Sequence, residues 1–231
     1  ARIESQAVAG YYATPDHLLA SIASMLAFPS VDAPSQVPVH WSLMDPCAGE
    51  GKAIHGLSSL WFGQDWHKLA SYERATKGLP YVHVHHLTVE MEKGRSDLLQ
   101  RAITGIGNHH GNATHMHGDA LTLSLDMSAD NYSQCQPGVN VLYLNPPYEH
   151  DPIHGRMEQA FLEKFAGVPV RGDGMLVYVV PYYALKFGAR ILSRMYTDIR
   201  CYRFPDPDYD TYKQVVLFAR RRRFDLVDAV D

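Results

Sequence analysis

The sequence predicts an α/β fold with a doubly wound, mostly parallel sheet that ends in an antiparallel hairpin. Short apolar runs that are typical of buried strands alternate with segments of helical periodicity along most of the 231 residues. This alternation implies right-handed crossovers between parallel strands. The last two apolar runs, residues 199–204 and 213–219, are separated by a short polar segment, which favours an antiparallel pair.

Five helices are predicted from apolar residues that recur three or four positions apart. The first begins at Pro15, with Thr14 as its candidate N-cap, a pair that suits a helix N-terminus. The predicted helices cover residues 15–27, 52–61, 92–105, 155–165 and 183–195.

Five further strands are predicted ahead of the hairpin from short apolar runs. They cover residues 41–44, 81–90, 113–117, 139–144 and 175–180. The run at 139–144 must stop at Pro146 and Pro147, because proline has no N–H group for a sheet ladder.

Composition and charge restrict what the chain can be. We expect a single domain over residues 1–231, with an insertion at about 62–82 where the chain is longer than one helix needs. No long apolar run or N-terminal signal pattern is present, and the three cysteines are far apart, so we expect a cytoplasmic protein with reduced thiols and no membrane contact. The net charge of −4 argues against a protein that holds nucleic acid by charge alone.

The four residues Asn145-Pro146-Pro147-Tyr148 are the most informative segment. They place an amide side chain, a rigid carbonyl and an aromatic ring at the carboxyl end of a predicted strand, the edge where open α/β sheets bind ligands. An amide oxygen and a neighbouring carbonyl can accept both hydrogens of an exocyclic amine, and a tyrosine ring can stack on a planar base. This pattern indicates methylation of a planar amino group, with the N6 of adenine as the first choice.

Three other strand ends carry residues that suit a nucleoside-containing cofactor. The loop Asp45-Pro-Cys-Ala-Gly-Glu-Gly51 joins the first strand to a helix, and its glycines allow a close approach of the backbone to a ligand. It lacks the third glycine of a dinucleotide site and the Lys-Ser/Thr of a phosphate-binding loop. Glu90 ends the next strand and could accept from both hydroxyls of a ribose, and Asp119 follows the third strand.

Taken in order, these segments resemble class I S-adenosylmethionine-dependent methyltransferases, and specifically the N6-adenine DNA methyltransferases with an Asn-Pro-Pro-Tyr motif. The resemblance spans about residues 10–220 and implies a Rossmann-like catalytic domain, S-adenosylmethionine as the cofactor and restriction-modification as a setting. It assigns catalysis to Asn145, Pro146, Pro147 and Tyr148. It assigns cofactor binding to Tyr11, Tyr12, Thr14, Pro15, Asp45, Pro46, Cys47, Ala48, Gly49, Gly51, Glu90, Met91, Asp119, Ala120 and Asn145.

The resemblance leaves the substrate open. Adenine in DNA is the main hypothesis; adenine in RNA and the N5 of a protein glutamine are alternatives, because each presents a conjugated amine. A fourth hypothesis is a cofactor-binding module within a larger restriction or defence assembly. No separate target-recognition domain follows the motifs, so we expect recognition to come from loops, from residues beyond 231 or from a partner chain.

Substrate contacts are predicted from aromatic and basic residues. Tyr148 would stack on a base flipped out of the duplex. Lys186, together with Arg220 and Arg221 from a run of four arginines after the last predicted strand, would contact phosphate. The 13 histidines include the cluster His83, His85 and His86, but no cysteine or carboxylate accompanies them at metal-ligand spacing, so we expect no metal.

Overall fold

The computed structural model describes residues 13–26, 39–63, 82–104, 111–124, 138–170 and 172–226. The described residues divide into two compact units, which we call the N-terminal unit (within residues 13–119) and the C-terminal unit (within residues 120–231). Tyr11, Tyr12 and most of the expected insertion, residues 64–81, lie outside the described residues. The single-domain organisation stays a prediction.

The N-terminal unit contains parallel strands and the helices that follow or precede them. Its elements are α1 (Asp16–Ser24), β1 (Val39–Asp45), α2 (Lys52–Phe62), β2 (Val82–Glu90), α3 (Lys93–Ile103) and β3 (Gly111–His117). The strands β1 and β2 pair in parallel, as do β2 and β3. The carboxyl ends of all three strands therefore meet at one edge.

Helices α1 and α2 pack together through apolar side chains. Leu18, Leu19 and Ile22 of α1 and Ile54 and Leu57 of α2 are at most 2% exposed. Burying a side chain of this size stabilises the fold by about 1.5–3 kcal/mol. The indole N–H of Trp61 also donates to the Ala23 carbonyl at 3.2 Å, which joins the C-terminal turns of the two helices.

The C-terminal unit combines parallel and antiparallel pairing. Its elements are β4 (Val141–Leu144), β5 (His150–Asp151), β6 (Gly155–Arg156), α4 (Met157–Phe165), β7 (Met175–Pro181), α5 (Leu185–Met195), β8 (Tyr196–Arg203), α6 (Asp208–Tyr212) and β9 (Gln214–Arg221). Strands β4 and β7 are parallel, and β9 pairs antiparallel with both β7 and β8. A 3₁₀ turn, Tyr182–Ala184, joins β7 to α5.

The predicted fold class is confirmed. Seven strands form a mostly parallel sheet accompanied by helices, with antiparallel strands at the C-terminal end. This is the Rossmann-like arrangement expected from alternating strands and helices. None of the helices in the described ranges is long and apolar enough to cross a membrane.

Several element boundaries differ from the predictions. Strand β8 begins at Tyr196 rather than at residue 199, because its ladder with β9 continues past a register shift between Thr197 and Arg200. Strand β4 begins at Val141, and Val139 forms only an isolated bridge with Pro169. The small antiparallel pair β5–β6 is too short to leave a periodic pattern in the sequence.

The pairing of β7 with β9 defines which loops share an edge in the C-terminal unit. Pro181, at the carboxyl end of β7, lies opposite Gln214, at the amino end of β9. The β8–β9 connection, which contains α6, therefore lies at the same edge as Asn145. The residues at the other end of β9 lie at the opposite edge, where Arg220 faces Met175.

Candidate active site

The loop from Asp45 to Gly51 leaves the carboxyl end of β1 and leads into α2. Gly49 and Gly51 have φ angles of +56° and +80°, in the left-handed region that favours glycine. A Cβ atom on Gly51 would lie 2.4 Å from the Cδ1 atom of Leu99 on α3. The loop thus turns sharply and packs against α3 at a point where only glycine fits.

Glu90 holds this loop against the end of β2. Its Oε2 atom accepts from the Gly49 N–H at 2.8 Å. Its Oε1 atom accepts from the Glu92 N–H at 2.8 Å and from two nitrogens of Arg95 at 2.8 and 3.1 Å. Since Oε1 already has three donors and Oε2 has one, Oε2 is the oxygen better able to accept from a ribose hydroxyl.

Three carboxylates act on Cys47, the third residue of the loop. Burial raises the pKa of its thiol well above the usual value, and the charges of Asp45, Glu90 and Asp119 raise it further. Burial also raises the pKa of Asp45 to about 7, with a smaller contribution from Glu90; the Cys47 N–H, 3.0 Å from Asp45 Oδ1, opposes that shift. A cation bound nearby would favour the ionised forms of these acids, so a buried cluster of this kind favours a cationic ligand.

The residues present fit S-adenosylmethionine, which carries a sulfonium and an ammonium group. The acids around Cys47 complement positive charge, and the turn at Gly49 and Gly51 keeps side chains away from the edge of the strands. Glu90 is buried, with an oxygen still able to accept from a hydroxyl. The unit thus provides acceptors and open backbone of the kind that this cofactor requires.

Most of the other described residues assigned to the cofactor lie in the N-terminal unit. Met91 directly follows β2 and is 55% exposed, as a residue that packs on a ligand ring would be. Asp119 is half-buried after β3, while Thr14 is buried and Pro15 forms the N-cap of α1. Ala120 is buried at the start of the C-terminal unit. The structure therefore brings Asp45, Glu90 and Asp119 to one sheet edge, as the parallel strands require.

Asn145 follows the fully buried strand β4, and its side chain is held by Tyr148. The Tyr148 hydroxyl donates to Asn145 Oδ1 at 2.5 Å and accepts from Gln214 Nε2 at 2.7 Å. Burial raises the pKa of Tyr148 well above its usual value, so the phenol keeps its proton. Sequence reasoning missed Gln214, since 66 positions separate it from Tyr148 and no local pattern connects them.

Aromatic and cationic side chains lie at the same edge of the C-terminal unit as Asn145. Tyr182 and Tyr183 in the turn after β7 are 53% and 43% exposed. The Arg156 guanidinium lies 4.4 Å from the ring centre of Phe187, and the Lys186 ammonium lies 4.9 Å from it. We call these five residues the rim. Of these five residues, only Lys186 was predicted from the sequence. A signal for Tyr182 was present, because Pro181-Tyr182 repeats the pattern of a strand that ends at proline and is followed by an aromatic residue.

The structure corrects the substrate role predicted for Arg220 and Arg221. Arg221 is 1% exposed, and its guanidinium donates to Asp225 at 2.5 Å and to the Met195 carbonyl at 2.9 Å. Arg220 pairs with Asp198 at 2.7 Å, at the edge opposite Asn145. The prediction failed because β9 runs antiparallel to β7, so the residues at its end lie away from the carboxyl edge.

The histidines of the N-terminal unit have structural partners. His86 Nε2 lies 2.7 Å from the Ser58 hydroxyl, and His115 lies between Thr88 and Ser96 at 3.1 and 2.8 Å. Burial lowers the pKa of His115, which favours its neutral form. Within the described ranges, no three His, Cys, Asp or Glu side chains are placed to hold a metal ion.

Solved structures share this fold. One similar structure is a protein from Listeria monocytogenes that is assigned to the class I S-adenosylmethionine-dependent methyltransferases. The TM-score is 0.64 and the sequence identity 15%, and the match covers 94% of this chain and 63% of that one. A second is a modification subunit assigned to a type I restriction enzyme of Vibrio vulnificus, with a TM-score of 0.60 and 16% identity over 94% of this chain and 46% of that one. A third is the type I restriction-modification methyltransferase subunit of Streptococcus thermophilus, with a TM-score of 0.57 and 15% identity over 94% of this chain and 46% of that one. This chain thus spans about half to two thirds of their length, and its fold is that of class I methyltransferases.

A family model agrees with the fold. Residues 127–229, which include Asn145, Tyr148 and Gln214, match DUF6094, described as an uncharacterised methyltransferase family. No curated protein matches the chain. Fold and family model together imply S-adenosylmethionine as the cofactor.

Proposed function

We propose that the chain is an S-adenosylmethionine-dependent methyltransferase and that it methylates the N6 amine of adenine in DNA. The observation that carries the proposal is the Asn145 amide at the carboxyl end of β4, fixed by Tyr148 in a chain with the class I methyltransferase fold. Pro146 and Pro147 make the following backbone rigid. A side-chain oxygen beside a rigid carbonyl suits an exocyclic amine with two hydrogens.

The chemistry of adenine explains why these acceptors matter. The N6 lone pair is delocalised into the ring, so N6 is a weak nucleophile. Hydrogen bonds from N6 to Asn145 Oδ1 and the Pro146 carbonyl would draw the lone pair out of the ring and stabilise the positive charge that develops on nitrogen. When bound, the cofactor supplies an electrophilic methyl group. Glu90, Asp45 and Asp119 would hold its polar groups, and Gly49 and Gly51 would leave space for it.

Charge on α5 supports nucleic acid as the substrate. Lys186, Arg190 and Arg194 are exposed at four-residue spacing on this helix, which has no acidic residue. This spacing puts the three cations on one helix face. Such a face complements phosphates, and the exposed tyrosines of the rim offer stacking surfaces for unpaired bases. Both features favour nucleic acid over a protein glutamine.

The comparison proteins support DNA and a partner chain. Two of them are a type I modification subunit and a type I methyltransferase subunit, and this chain spans 46% of each. We propose that recognition of a DNA sequence depends on a partner chain. The chain alone would then bind DNA weakly and with little sequence preference.

The substrate class can be tested by labelling. The protein is incubated with tritium-labelled S-adenosylmethionine and with DNA, RNA or protein pools in separate reactions. The proposal predicts label in the DNA pool with the unmodified chain and loss of that label with Asn145→Ala. A Glu149→Ala variant, altered at an exposed neighbouring position, should keep wild-type incorporation. Label confined to the RNA or protein pool would contradict the DNA assignment.

A further inference from the structure

Gln214 is a buried polar residue that the proposed function does not use. It is 5% exposed and is the first residue of β9, where the ladder places it opposite Pro181. Its Nε2 atom donates to the Tyr148 hydroxyl at 2.7 Å. A buried amide costs stability unless it is hydrogen-bonded. The bond to Tyr148 meets this requirement and connects Gln214, through the phenol, to Asn145.

The Tyr148 phenol determines the direction of the hydrogen bonds that connect Gln214, Tyr148 and Asn145. Tyr148 has one hydroxyl proton, and its oxygen accepts from Gln214. That proton therefore goes to another acceptor, and Asn145 Oδ1 at 2.5 Å is much closer than the Val179 carbonyl at 3.3 Å. The Asn145 oxygen thus points towards Tyr148. Rotation of that amide by 180° would replace the acceptor with an NH₂ group and lose the bond.

We propose that Gln214 is a positioning residue that acts through the Tyr148 hydroxyl to hold the Asn145 amide with its oxygen as the acceptor. This inference rests on the proposed function, in which Asn145 Oδ1 accepts from the target amine. A carbonyl oxygen can accept two hydrogen bonds, so the bond from Tyr148 does not by itself prevent Asn145 Oδ1 from accepting from a substrate amine. Without Gln214 the phenol could turn towards Val179, and the Asn145 amide would lose its fixed orientation.

We call the two hydrogen bonds from Gln214 through the Tyr148 hydroxyl to Asn145 the relay. Because the high pKa of Tyr148 keeps the phenol protonated, its hydroxyl donates to Asn145 at every physiological pH. The order of the relay also makes a directional prediction. Gln214→Met removes the donor at similar volume, whereas Gln214→Glu replaces the donor with an acceptor that would take the Tyr148 proton away from Asn145. Both variants should lower kcat, the glutamate variant at least as much as the methionine variant.

The kinetic test is a double-mutant cycle on the full chain. Gln214→Met should lower kcat by about tenfold, the loss expected for one net hydrogen bond, and leave the KM for S-adenosylmethionine unchanged. In the Tyr148→Phe background the same change should have no further effect on kcat. Gln100→Met on the exposed face of α3 is the matched control and should behave like wild type. An equal loss of kcat in both backgrounds, or wild-type kcat for Gln214→Glu, would overturn the proposal.

A second readout does not depend on methyl transfer. Protein labelled with 3-fluorotyrosine gives one ¹⁹F signal for Tyr148, identified by its absence from Tyr148→Phe. Gln214→Met should shift that signal, whereas Gln100→Met should not. A shifted signal in a protein that methylates no adenine would refute the proposed function and leave the relay intact. An unshifted signal in a protein that does methylate adenine would refute the relay alone.

Discussion

At the scale of single residues, each of the two units contains buried polar groups with defined partners. Glu90 connects the Gly49 turn to Arg95, and Gln214 connects to Asn145 through Tyr148. Buried polar groups of this kind are costly when a partner is removed, by about 1–3 kcal/mol each. Substitutions at these positions should therefore have large effects, and each effect should be specific to one step.

Asn145→Ala tests the chemical step. If the amide oxygen acts on charge that develops at the target nitrogen, its removal should lower the rate of methyl transfer by about 10²-fold or more. Cofactor affinity should change little, which calorimetry with S-adenosylmethionine can check. Equal losses in rate and in cofactor affinity would instead assign Asn145 a structural role.

Glu90→Ala tests the cofactor site. The buried carboxylate would be lost from both the ribose and the Gly49 N–H, so cofactor binding should weaken by about 1–3 kcal/mol in calorimetry. Glu163→Ala, at an exposed position of α4, serves as the control. Wild-type affinity in Glu90→Ala would mean that β2 ends away from the cofactor.

Asp45 should make stability depend on pH. Its folded pKa of about 7 is above the ordinary value of 3.8, so the contribution of its protonated form is complete below about pH 4 and is lost as pH rises through 7. The full loss would be at most about 4 kcal/mol. Urea unfolding without cofactor should show Asp45→Asn close to wild type at about pH 4 and increasingly more stable than wild type as pH rises to 8. The exposed Asp173→Asn should show no such difference, and a pH-independent effect at Asp45 would contradict the shift.

At the scale of elements, strand direction determines which residues can reach a substrate. The ends of β4 and β7 and the start of β9 share an edge, so Asn145, the rim and the loop with α6 lie there. The antiparallel course of β9 carries the arginine run to the opposite edge, where Arg221 pairs with Asp225. Lys186, at the start of α5, shares the edge of the rim, and Arg190 and Arg194 continue the same helix face towards the opposite edge, where the next residue, Met195, contacts Arg221.

The cations of α5 can be tested by the salt dependence of DNA binding. Changing Lys186, Arg190 and Arg194 to serine should lower affinity for all sequences alike and reduce the slope of log K against log salt by up to about three units. A matched triple variant that changes exposed Lys52, Lys93 and Arg101 removes the same charge from the N-terminal unit. If both triples weaken binding equally, net charge rather than the α5 face controls the contact.

At the scale of the whole molecule, local chemistry was predictable from the sequence and long-range pairing was not. Pro146 and Pro147 end β4 because they cannot donate to a ladder, and Gly51 stands where φ is positive, so both features were visible as motifs. The burial of Arg221 depends on the direction of β9 and on Asp225. The contact of Gln214 with Tyr148 depends on the β7–β9 register, and neither leaves a local pattern.

The most direct test of adenine N6 methylation is nucleoside analysis of the reacted DNA. Unmethylated DNA is incubated with the chain and with S-adenosylmethionine that carries a deuterated methyl group, then digested to nucleosides and analysed by mass spectrometry. The proposed function predicts deuterium-labelled N6-methyladenine, absent when Asn145→Ala replaces the wild-type chain. Label in N4-methylcytosine, or label in N6-methyladenine that persists in Asn145→Ala, would contradict the account.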